Sequence, residues 1–279
     1  MTDGWRSLLA QGAGLLAEAG VDSPRADAEW LACGVTGVSR GALLLEDPPN
    51  DDMVSRYRRW LERRARREPL QHILGNAAFW RGELAVGPGV FVPRPETELL
   101  VEWTLRNLSD IAAPLIVDAC AGSGAIGHAV ASELPKARIV SVEKHDRAYE
   151  WLRRNMSGLN AQAVQADITD PESLGDLDGR CDAVVSNPPY VPQETSVSVE
   201  AAADPESALF AGRDGLGVIR PLVLRSLRLL KPGGIFVVEH DETHSGQVVE
   251  LILDAGFHNA HSHEDLAGRP RFATAAKPM

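Results

Sequence analysis

The 279-residue sequence contains few cysteines and no long apolar run. Cys33, Cys120 and Cys181 are odd in number, far apart and outside any zinc-binding spacing, so we expect no metal site and a reducing compartment. No apolar run approaches the roughly 18 residues of a membrane-spanning helix, and the N-terminus lacks a basic segment followed by an apolar core. We expect a cytoplasmic protein without a membrane partner.

Basic residues are scarce over most of the chain. The formal net charge is −11, whereas phosphate binding needs a surplus of Lys and Arg, so we expect no direct nucleic acid substrate. The first 75 residues carry ten Lys/Arg and eleven Asp/Glu, which leaves a net −10 on the remainder. Seven arginines fall in one amphipathic stretch: Arg56, Arg58, Arg59, Arg63, Arg64, Arg66 and Arg67. This stretch is either a solvated helix face or a docking surface for an acidic or RNA-containing partner.

The hydrophobic pattern changes along the chain. Residues 5–66 show helical spacing, and Gly87-Pro88-Gly89 between short apolar runs then predicts a β-hairpin. From residue 114 onward strand-like and helix-like segments alternate, which favours a mostly parallel sheet covered on both faces. The predicted parts are a helical N-terminal domain (1–75), a β-hairpin linker (76–94) and an α/β domain (95–279).

The predicted strands of the α/β domain are apolar and rich in valine. They cover 115–117, 138–142, 163–164, 183–185 and 235–238, with helices at about 123–134, 146–156 and 215–230 between them. Two closely spaced segments, 258–263 and 271–275, predict an antiparallel hairpin at the sheet edge.

A glycine-rich segment follows the first of these strands. Gly122, Gly124 and Gly127 have the G-x-G-x-x-G spacing, which lets the backbone approach a ligand at a helix N-terminus. Glu143 ends the next strand 21 residues after Gly122, where a carboxylate can accept both hydroxyls of a ribose. The pattern predicts a nucleotide-containing ligand; the alternative is a packing glycine cluster with a surface acid.

Two further acids bear on the identity of that ligand. S-adenosylmethionine lacks the pyrophosphate that a dehydrogenase would bind and carries an ammonium group, which Asp118 could meet directly or through water. Asp167 could accept from an adenine amino group. Its alternative role is a helix cap before Ile168-Thr169.

The tetrad Asn187-Pro188-Pro189-Tyr190 ends a valine-rich strand. Neither proline can donate to a strand ladder, so the strand must stop at Asn187. The Asn187 side-chain oxygen and the Pro188 carbonyl can accept both hydrogens of an NH2 group, and the Tyr190 ring can stack on a planar amide or base. The tetrad predicts a site for a planar nitrogen nucleophile, and the alternative is a turn that only ends the strand.

The tetrad and the glycine loop together resemble class I methyltransferases that modify planar NH2 nitrogens, on adenine N6 or glutamine N5. Further matching stretches are 69–75, Phe79, Gly82, 88–90, 93–98, 205–209, 212–216, 232–234, Glu239-His240 and 265–268. With these, nearly the whole chain resembles the HemK/PrmC family, which methylates the glutamine of the Gly-Gly-Gln motif in class I peptide chain release factors.

The resemblance implies a Rossmann-like class I S-adenosylmethionine-dependent methyltransferase fold, preceded by a helical substrate-docking domain and a β-hairpin linker. It implies S-adenosyl-L-methionine as cofactor, S-adenosyl-L-homocysteine as its product, and release factors as partners of a monomeric enzyme. The implied catalytic residues are Asn187, Pro188 and Tyr190, which bind the substrate amide together with Pro189. The implied cofactor-binding residues are Cys120, Ala121, Gly122, Ser123, Gly124, Glu143, Asp167, Ile168 and Asn187.

Three positions depart from the family pattern. Ile168 stands where relatives often have a bulkier aromatic residue, so we expect weaker packing on adenine. Asp241 replaces a common glycine and Pro270 an acidic residue, which affects the expected loop shapes and not the chemistry.

Two other functions stay open from the sequence. An adenine-N6 methyltransferase would bind the same NH2 geometry but needs a basic cleft, and the net −10 after residue 75 argues against one. A non-catalytic ribosome- or RNA-associated protein that has kept a nucleotide-binding fold would use the arginine stretch as its surface.

Overall fold

The computed structural model describes residues 4–279, which form two compact units. Residues 4–76 and Val197–Ala203 form the first unit, and Ala77–Ser196 with Asp204–Met279 form the second. Residues 1–3, the start of the predicted helical domain, lie outside the described residues. Within residues 4–279, no helix has the length and apolar character needed to span a membrane.

The helices and strands follow in a fixed order along the chain. The helices are α1 (Trp5–Glu18), α2 (Pro24–Thr36), α3 (Asp51–Ala65), α4 (Leu70–Leu74), α5 (Thr97–Leu108), α6 (Ala125–Glu133), α7 (Asp146–Asn155), α8 (Glu206–Leu209), α9 (Ile219–Leu229) and α10 (Ser245–Asp254). The strands are β1 (Asn76–Phe79), β2 (Gly82–Ala85), β3 (Leu115–Ala119), β4 (Arg138–Glu143), β5 (Ala161–Gln165), β6 (Cys181–Ser186), β7 (Leu230–Glu239), β8 (His258–Glu264) and β9 (Pro270–Ala276).

The first unit is a small helical core. Leu8 of α1, Leu31 of α2, and Tyr57 and Leu61 of α3 are buried together, because each helix places its apolar residues on one face. The buried Tyr57 hydroxyl donates to the Ala28 carbonyl oxygen at 3.3 Å, so its polar end is satisfied within the core. The helical character predicted for 5–66 is confirmed.

One arginine of α3 is a buried structural residue. The Arg64 guanidinium donates to Asp27 at 2.7 Å, to Glu200 at 3.1 Å and to the Glu68 carbonyl oxygen at 3.1 Å. Arg67 donates to the same Glu200 carboxylate at 2.7 Å, which fixes segment Val197–Ala203 to α3. The solvated-face interpretation is therefore wrong for Arg64. Four other members of the stretch are exposed, and for them the solvated-face and docking interpretations both stay open: Arg56, Arg58, Arg59 and Arg66.

The second unit is built on a sheet of seven strands, counted over residues 4–279, in the order β5-β4-β3-β6-β7-β9-β8. Strands β3 to β7 pair in parallel, and β9 is antiparallel to both β7 and β8. The mostly parallel α/β sheet and the antiparallel hairpin at its edge are as predicted.

Both faces of this sheet are covered because successive side chains of a strand point to opposite sides. Val184 packs in the cluster that contains Ile219 of α9 and Val248 of α10. Its neighbour Val185 packs in the cluster that contains Leu100 of α5. All six residues of β6 are buried in the sheet. The tetrad, which follows β6 directly, therefore extends from the centre of the sheet.

The carboxyl ends of the parallel strands meet at one edge of the sheet. Ala119, the last residue of β3, pairs with Val142 of β4 and with Ser186, the last residue of β6. The glycine loop, Glu143 and the tetrad therefore leave the sheet side by side, which is where open α/β sheets bind ligands.

The hairpin between the predicted domains lies earlier than the sequence indicates. Strands β1 and β2 are joined by Trp80-Arg81, and Gly87-Pro88-Gly89 forms a turn with no strand after it. Segment 90–92 cannot continue a ladder because the Val92 N–H donates to Asp204 at 3.2 Å. The hairpin residues from Ala77 onward belong to the second unit. Helix α9 likewise begins at Ile219, four residues after the predicted start.

The buried Arg64 leads to a stability prediction. We expect Arg64→Ala to destabilise the first unit by about 3–5 kcal/mol, because it leaves the Asp27 carboxylate buried without a cation. Hydrogen exchange of α2 and α3 peptides measures this unit separately. The matched control is Arg58→Ala, an exposed residue of the same helix, which should change stability by less than about 0.5 kcal/mol. Equal exchange in the two variants would contradict the structural role of Arg64.

Candidate active site

A cavity of about 350 Å³ lies at the carboxyl edge of the sheet, within the second unit. Eleven of the twelve predicted site residues line it: Cys120, Ala121, Gly122, Ser123, Glu143, Asp167, Ile168, Asn187, Pro188, Pro189 and Tyr190. The structure thus brings the predicted cofactor and substrate residues to one cavity.

The glycine loop has a left-handed backbone where it borders the cavity. Cys120, Gly122 and Gly124 have φ angles of 55°, 56° and 84°. Gly124 is the N-cap of α6 and does not line the cavity; a Cβ there would lie 2.5 Å from Met156. Gly124 therefore shapes the loop through its backbone conformation and its packing. Cys120 adopts the same φ region at a steric cost, because it carries a Cβ.

Glu143 supports the loop from the next strand. Its carboxylate accepts from the Gly122 N–H at 2.9 Å through one oxygen and from the His145 N–H at 2.8 Å through the other. Each oxygen keeps a second lone pair. Glu143 can therefore hold the loop and still accept from a ligand hydroxyl in the cavity.

Asp167 also lines the cavity, with both carboxylate oxygens bonded. One oxygen accepts from the Thr169 N–H at 2.9 Å and from its hydroxyl at 2.6 Å, and the other pairs with Lys144 at 2.8 Å. Partial burial opposes ionisation, but these donors hold the pKa of Asp167 below its usual value. The bonds to Thr169 belong to a turn and not to a helix cap, because the next helical element starts only at Gly175, so the predicted helix cap is wrong. An adenine amino group would share an already bonded carboxylate.

Asp118 does not line the cavity. It is 1% exposed beneath the loop, where one oxygen accepts from the Gly127 N–H at 3.0 Å and from the Ser141 hydroxyl at 3.2 Å. The other oxygen is buried without a hydrogen-bond partner among the described residues. Burial raises the pKa of Asp118 to about 7. Asp118 supports the loop from below, and the structure does not bring it to a ligand ammonium group.

Hydrogen bonds hold the tetrad at its first residue, Asn187, and at its last, Tyr190. The Asn187 side-chain nitrogen donates to the Thr97 hydroxyl oxygen at 3.1 Å, and the Tyr190 hydroxyl donates to Glu239 at 3.0 Å. The Asn187 side-chain oxygen accepts from no described residue. That oxygen is the group the sequence assigns to substrate binding.

Thr97 and Glu239 were not predicted as site residues. The Thr97 hydroxyl donates to Glu239 at 2.7 Å, so one buried carboxylate lies behind both ends of the tetrad. The only sequence signal was that both residues fall in stretches matching the family, 93–98 and Glu239-His240.

The loop segment before α5 forms part of the cavity lining. Phe91 and Pro93 line it, and Arg94 lies over the Phe91 ring at 5.0 Å while pairing with Asp204 at 2.6 Å. Because Asp204 also accepts from the Val92 N–H, this loop is tied to a segment that lies 112 residues later in the sequence. The predicted site thus gains an aromatic wall.

Comparison with known proteins places this geometry in a family. Family models described as PrmC N-terminal domain and methyltransferase small domain match residues 7–75 and 86–204. The chain is 48% identical to the release factor glutamine methyltransferase of Mycobacterium tuberculosis over 98% of this chain and 91% of that protein. With that of Streptomyces coelicolor it is 49% identical over 97% of both chains. The chain belongs to the release factor glutamine methyltransferase family.

A solved structure supports the fold assignment. The chain superposes on a methyltransferase from Pyrococcus furiosus with a TM-score of 0.51 and 17% identity, over 70% of this chain and 89% of that one. The second unit has the class I methyltransferase fold. The family and fold that the tetrad and glycine loop suggested are confirmed.

Within this family fold, the Cys120 thiol is unreactive. Burial, with the nearby Glu143 charge, raises the pKa of its thiol to about 12, so the thiol stays protonated at neutral pH. Over the described part of the chain, no cluster of three or more His, Cys, Asp or Glu side chains could hold a metal ion.

The buried Asp118 predicts a pH dependence of stability. Since burial raises its pKa from 3.8 to about 7, the folded state favours the protonated carboxyl. Its stabilising contribution is present below pH 3.8 and is lost as the pH rises through about 7. We expect the wild type to lose stability relative to Asp118→Asn between about pH 4 and about pH 7. Urea unfolding followed by circular dichroism measures this, and parallel pH profiles would contradict it.

Proposed function

We propose that this protein transfers a methyl group from S-adenosyl-L-methionine to the side-chain amide nitrogen (N5) of the glutamine in the Gly-Gly-Gln motif of class I release factors. The observation that supports this most directly is the orientation of Asn187. Its nitrogen is bound to Thr97, which leaves its oxygen free to accept at a cavity that also contains the glycine loop. The names of the full-length relatives agree with this substrate.

The cavity fits the methyl donor at several points. The left-handed loop at Gly122 presents backbone and no side chain, and open space surrounds the position of its missing Cβ. Glu143 offers free lone pairs to ribose hydroxyls, and buried Ile168 offers an apolar surface to adenine. When bound, S-adenosyl-L-methionine supplies an electrophilic methyl group on a sulfonium centre.

The tetrad compensates for the weak nucleophilicity of a carboxamide, whose nitrogen lone pair is delocalised into its carbonyl. The Asn187 oxygen and the Pro188 carbonyl would accept both N–H groups of the glutamine side chain, which aligns the nitrogen and favours positive charge developing on it. Tyr190 holds the plane of the amide by stacking. The nitrogen needs no base before attack, because its proton can leave to water after transfer.

The helical segment 1–75 would dock the release factor, with segment 76–94 as the connection to the catalytic domain 95–279. The exposed residues Arg56, Arg58 and Arg59 of α3, with Arg66 directly after it, offer positive charge to such a partner. Arg64 and Arg67 are excluded from this surface because both already pair with Glu200.

Methylation of adenine N6 is the second candidate, since adenine presents the same NH2 geometry. The full-length relatives favour the release factor glutamine over it, and the net −10 after residue 75 opposes a strand of phosphates. The two functions separate when purified protein is offered release factor and oligonucleotide with labelled methyl donor, and mass spectrometry locates the methyl group.

The free oxygen of Asn187 predicts the effect of its removal. We expect Asn187→Ala to lower turnover on the release factor by roughly 10²- to 10³-fold, because one acceptor aimed at the reacting nitrogen is lost. Donor affinity, measured by calorimetry, should be largely preserved. Asn107→Ala, an exposed asparagine on α5, is the matched control and should keep full turnover. Near wild-type turnover of Asn187→Ala would refute the mechanism.

The Glu143 carboxylate predicts a separate effect on donor binding. Glu143→Ala removes the acceptor of the Gly122 and His145 N–H groups as well as that of the ribose. We expect affinity for S-adenosyl-L-methionine to fall by roughly 10- to 100-fold, as lost hydrogen bonds to a charged group predict. Calorimetry measures it, with Glu150→Ala on the exposed face of α7 as control. An unchanged dissociation constant would remove Glu143 from the donor site.

A further inference from the structure

We infer that Glu239 and Thr97 are positioning residues that fix which end of the Asn187 side-chain amide faces the substrate. The inference rests on the proposed function in that it assigns Asn187 the task of accepting from a substrate NH2 group. Its physical basis is a chain of hydrogen bonds whose direction is set at one end.

This chain of hydrogen bonds runs from the cavity wall into the core. The Asn187 side-chain nitrogen donates to the Thr97 hydroxyl oxygen at 3.1 Å, and the Thr97 hydroxyl donates to the Glu239 carboxylate at 2.7 Å. Thr97 is 3% exposed and Glu239 is 2% exposed, so water does not compete for either bond. These two residues are 142 positions apart in sequence and meet where α5 begins and β7 ends.

Donor and acceptor counting fixes the direction. An ionised carboxylate can only accept, and a hydroxyl has one hydrogen. Because Glu239 takes the Thr97 hydrogen, the Thr97 oxygen is left as an acceptor toward Asn187. The Asn187 amide must then present its NH2 group to Thr97, which turns its oxygen away from Thr97 and leaves it available at the cavity.

Without that terminal acceptor the amide could reverse. A Thr97 hydroxyl free to donate to the Asn187 oxygen would turn the NH2 group of Asn187 toward the substrate. Two NH2 groups would then face each other, and neither can accept. The site would keep its shape and lose its ability to hold the glutamine nitrogen.

The same carboxylate also anchors the Tyr190 ring. The Tyr190 hydroxyl donates to the second Glu239 oxygen at 3.0 Å, so the amide and the ring share one support. Burial raises the pKa of Glu239, whereas the Thr97 and Tyr190 hydrogen bonds and the charge of Arg271 oppose that rise. Arg271 is itself held by Asp265 at 3.3 Å. The nearby Glu96 charge adds to the rise in pKa. The geometry favours the ionised form, because each carboxylate oxygen accepts from a hydroxyl, one from Thr97 and one from Tyr190.

Substitutions that keep the shape of the side chain test this chain of hydrogen bonds. Thr97→Val removes the hydroxyl at nearly constant volume, whereas Thr97→Ser keeps it. Glu239→Gln keeps the shape but can donate to Thr97, which permits the reversed amide. We expect Thr97→Val and Glu239→Gln to lower kcat on the release factor by roughly 10- to 100-fold, and Thr97→Ser to stay within about 3-fold of wild type. The calorimetric dissociation constant of S-adenosyl-L-methionine should change by less than about 3-fold in all three variants.

Tyr190→Phe separates the two branches of the network. It removes the bond from the ring to Glu239 and leaves the bonds among Asn187, Thr97 and Glu239 in place. Its kcat should therefore fall less than that of Thr97→Val. Thermal unfolding of each variant shows whether it folds. The Thr97→Val and Thr97→Ser pair decides the test if Glu239→Gln does not fold.

A second measurement is independent of activity. In protein labelled with ¹⁵N-asparagine, the Asn187 side-chain NH2 signal should be protected from hydrogen exchange in wild type and Thr97→Ser, and unprotected in Thr97→Val. Equal kcat and equal protection in the valine and serine variants would overturn the inference. If wild type methylates no release factor, the proposed function fails while the exchange result still decides the orientation of Asn187.

Discussion

The inability of two consecutive prolines to continue a strand ladder determines the geometry of this site. Strand β6 lies between β3 and β7 and is buried along its whole length, so its neighbours would otherwise continue to pair with it. At Asn187 the pairing ends because the next two residues have no N–H group. The backbone and side-chain oxygens that follow are released from the sheet at the edge where the glycine loop also leaves it. The two prolines thus determine where the proposed site of methyl transfer lies.

Outside the sheet, the glycine loop and the tetrad are held in place by buried side chains. Glu143 supports the glycine loop, Asp118 supports the same loop from below, and Glu239 supports the tetrad. All three are buried acids, and each accepts from at least two donors. The site is therefore rigid through hydrogen bonds to carboxylates, and its residues facing the cavity are largely free to bind ligands.

The sequence predicts the parts of this arrangement that depend on neighbouring residues. Strands β3, β4, β6 and β7 each contain a short apolar run, and the tetrad and glycine loop are local patterns, so the fold and a candidate site could be predicted. The contact of Thr97 with Glu239 joins residues from distant segments, and no periodicity reports it. Arg64 resembles a solvated charge for the same reason, since Asp27 and Glu200 approach it only in the folded chain. The turn residues Gly87-Pro88-Gly89 also led to a wrong prediction of a hairpin. The Val92 N–H, which a following strand would need for pairing, donates to Asp204 instead.

A carboxamide that recognises another carboxamide poses a problem of direction. Its two ends have nearly the same shape, one donating and one accepting, so packing alone does not distinguish the correct orientation from the reversed one. A hydroxyl cannot settle the choice either, because it can donate or accept. A carboxylate has only one role, and a hydrogen-bond chain that ends on it has one direction. Burial raises the pKa of Glu239, and the donors Thr97 and Tyr190 with the charge of Arg271 reduce that rise. The buried charge is therefore the part of the network that gives Asn187 its orientation.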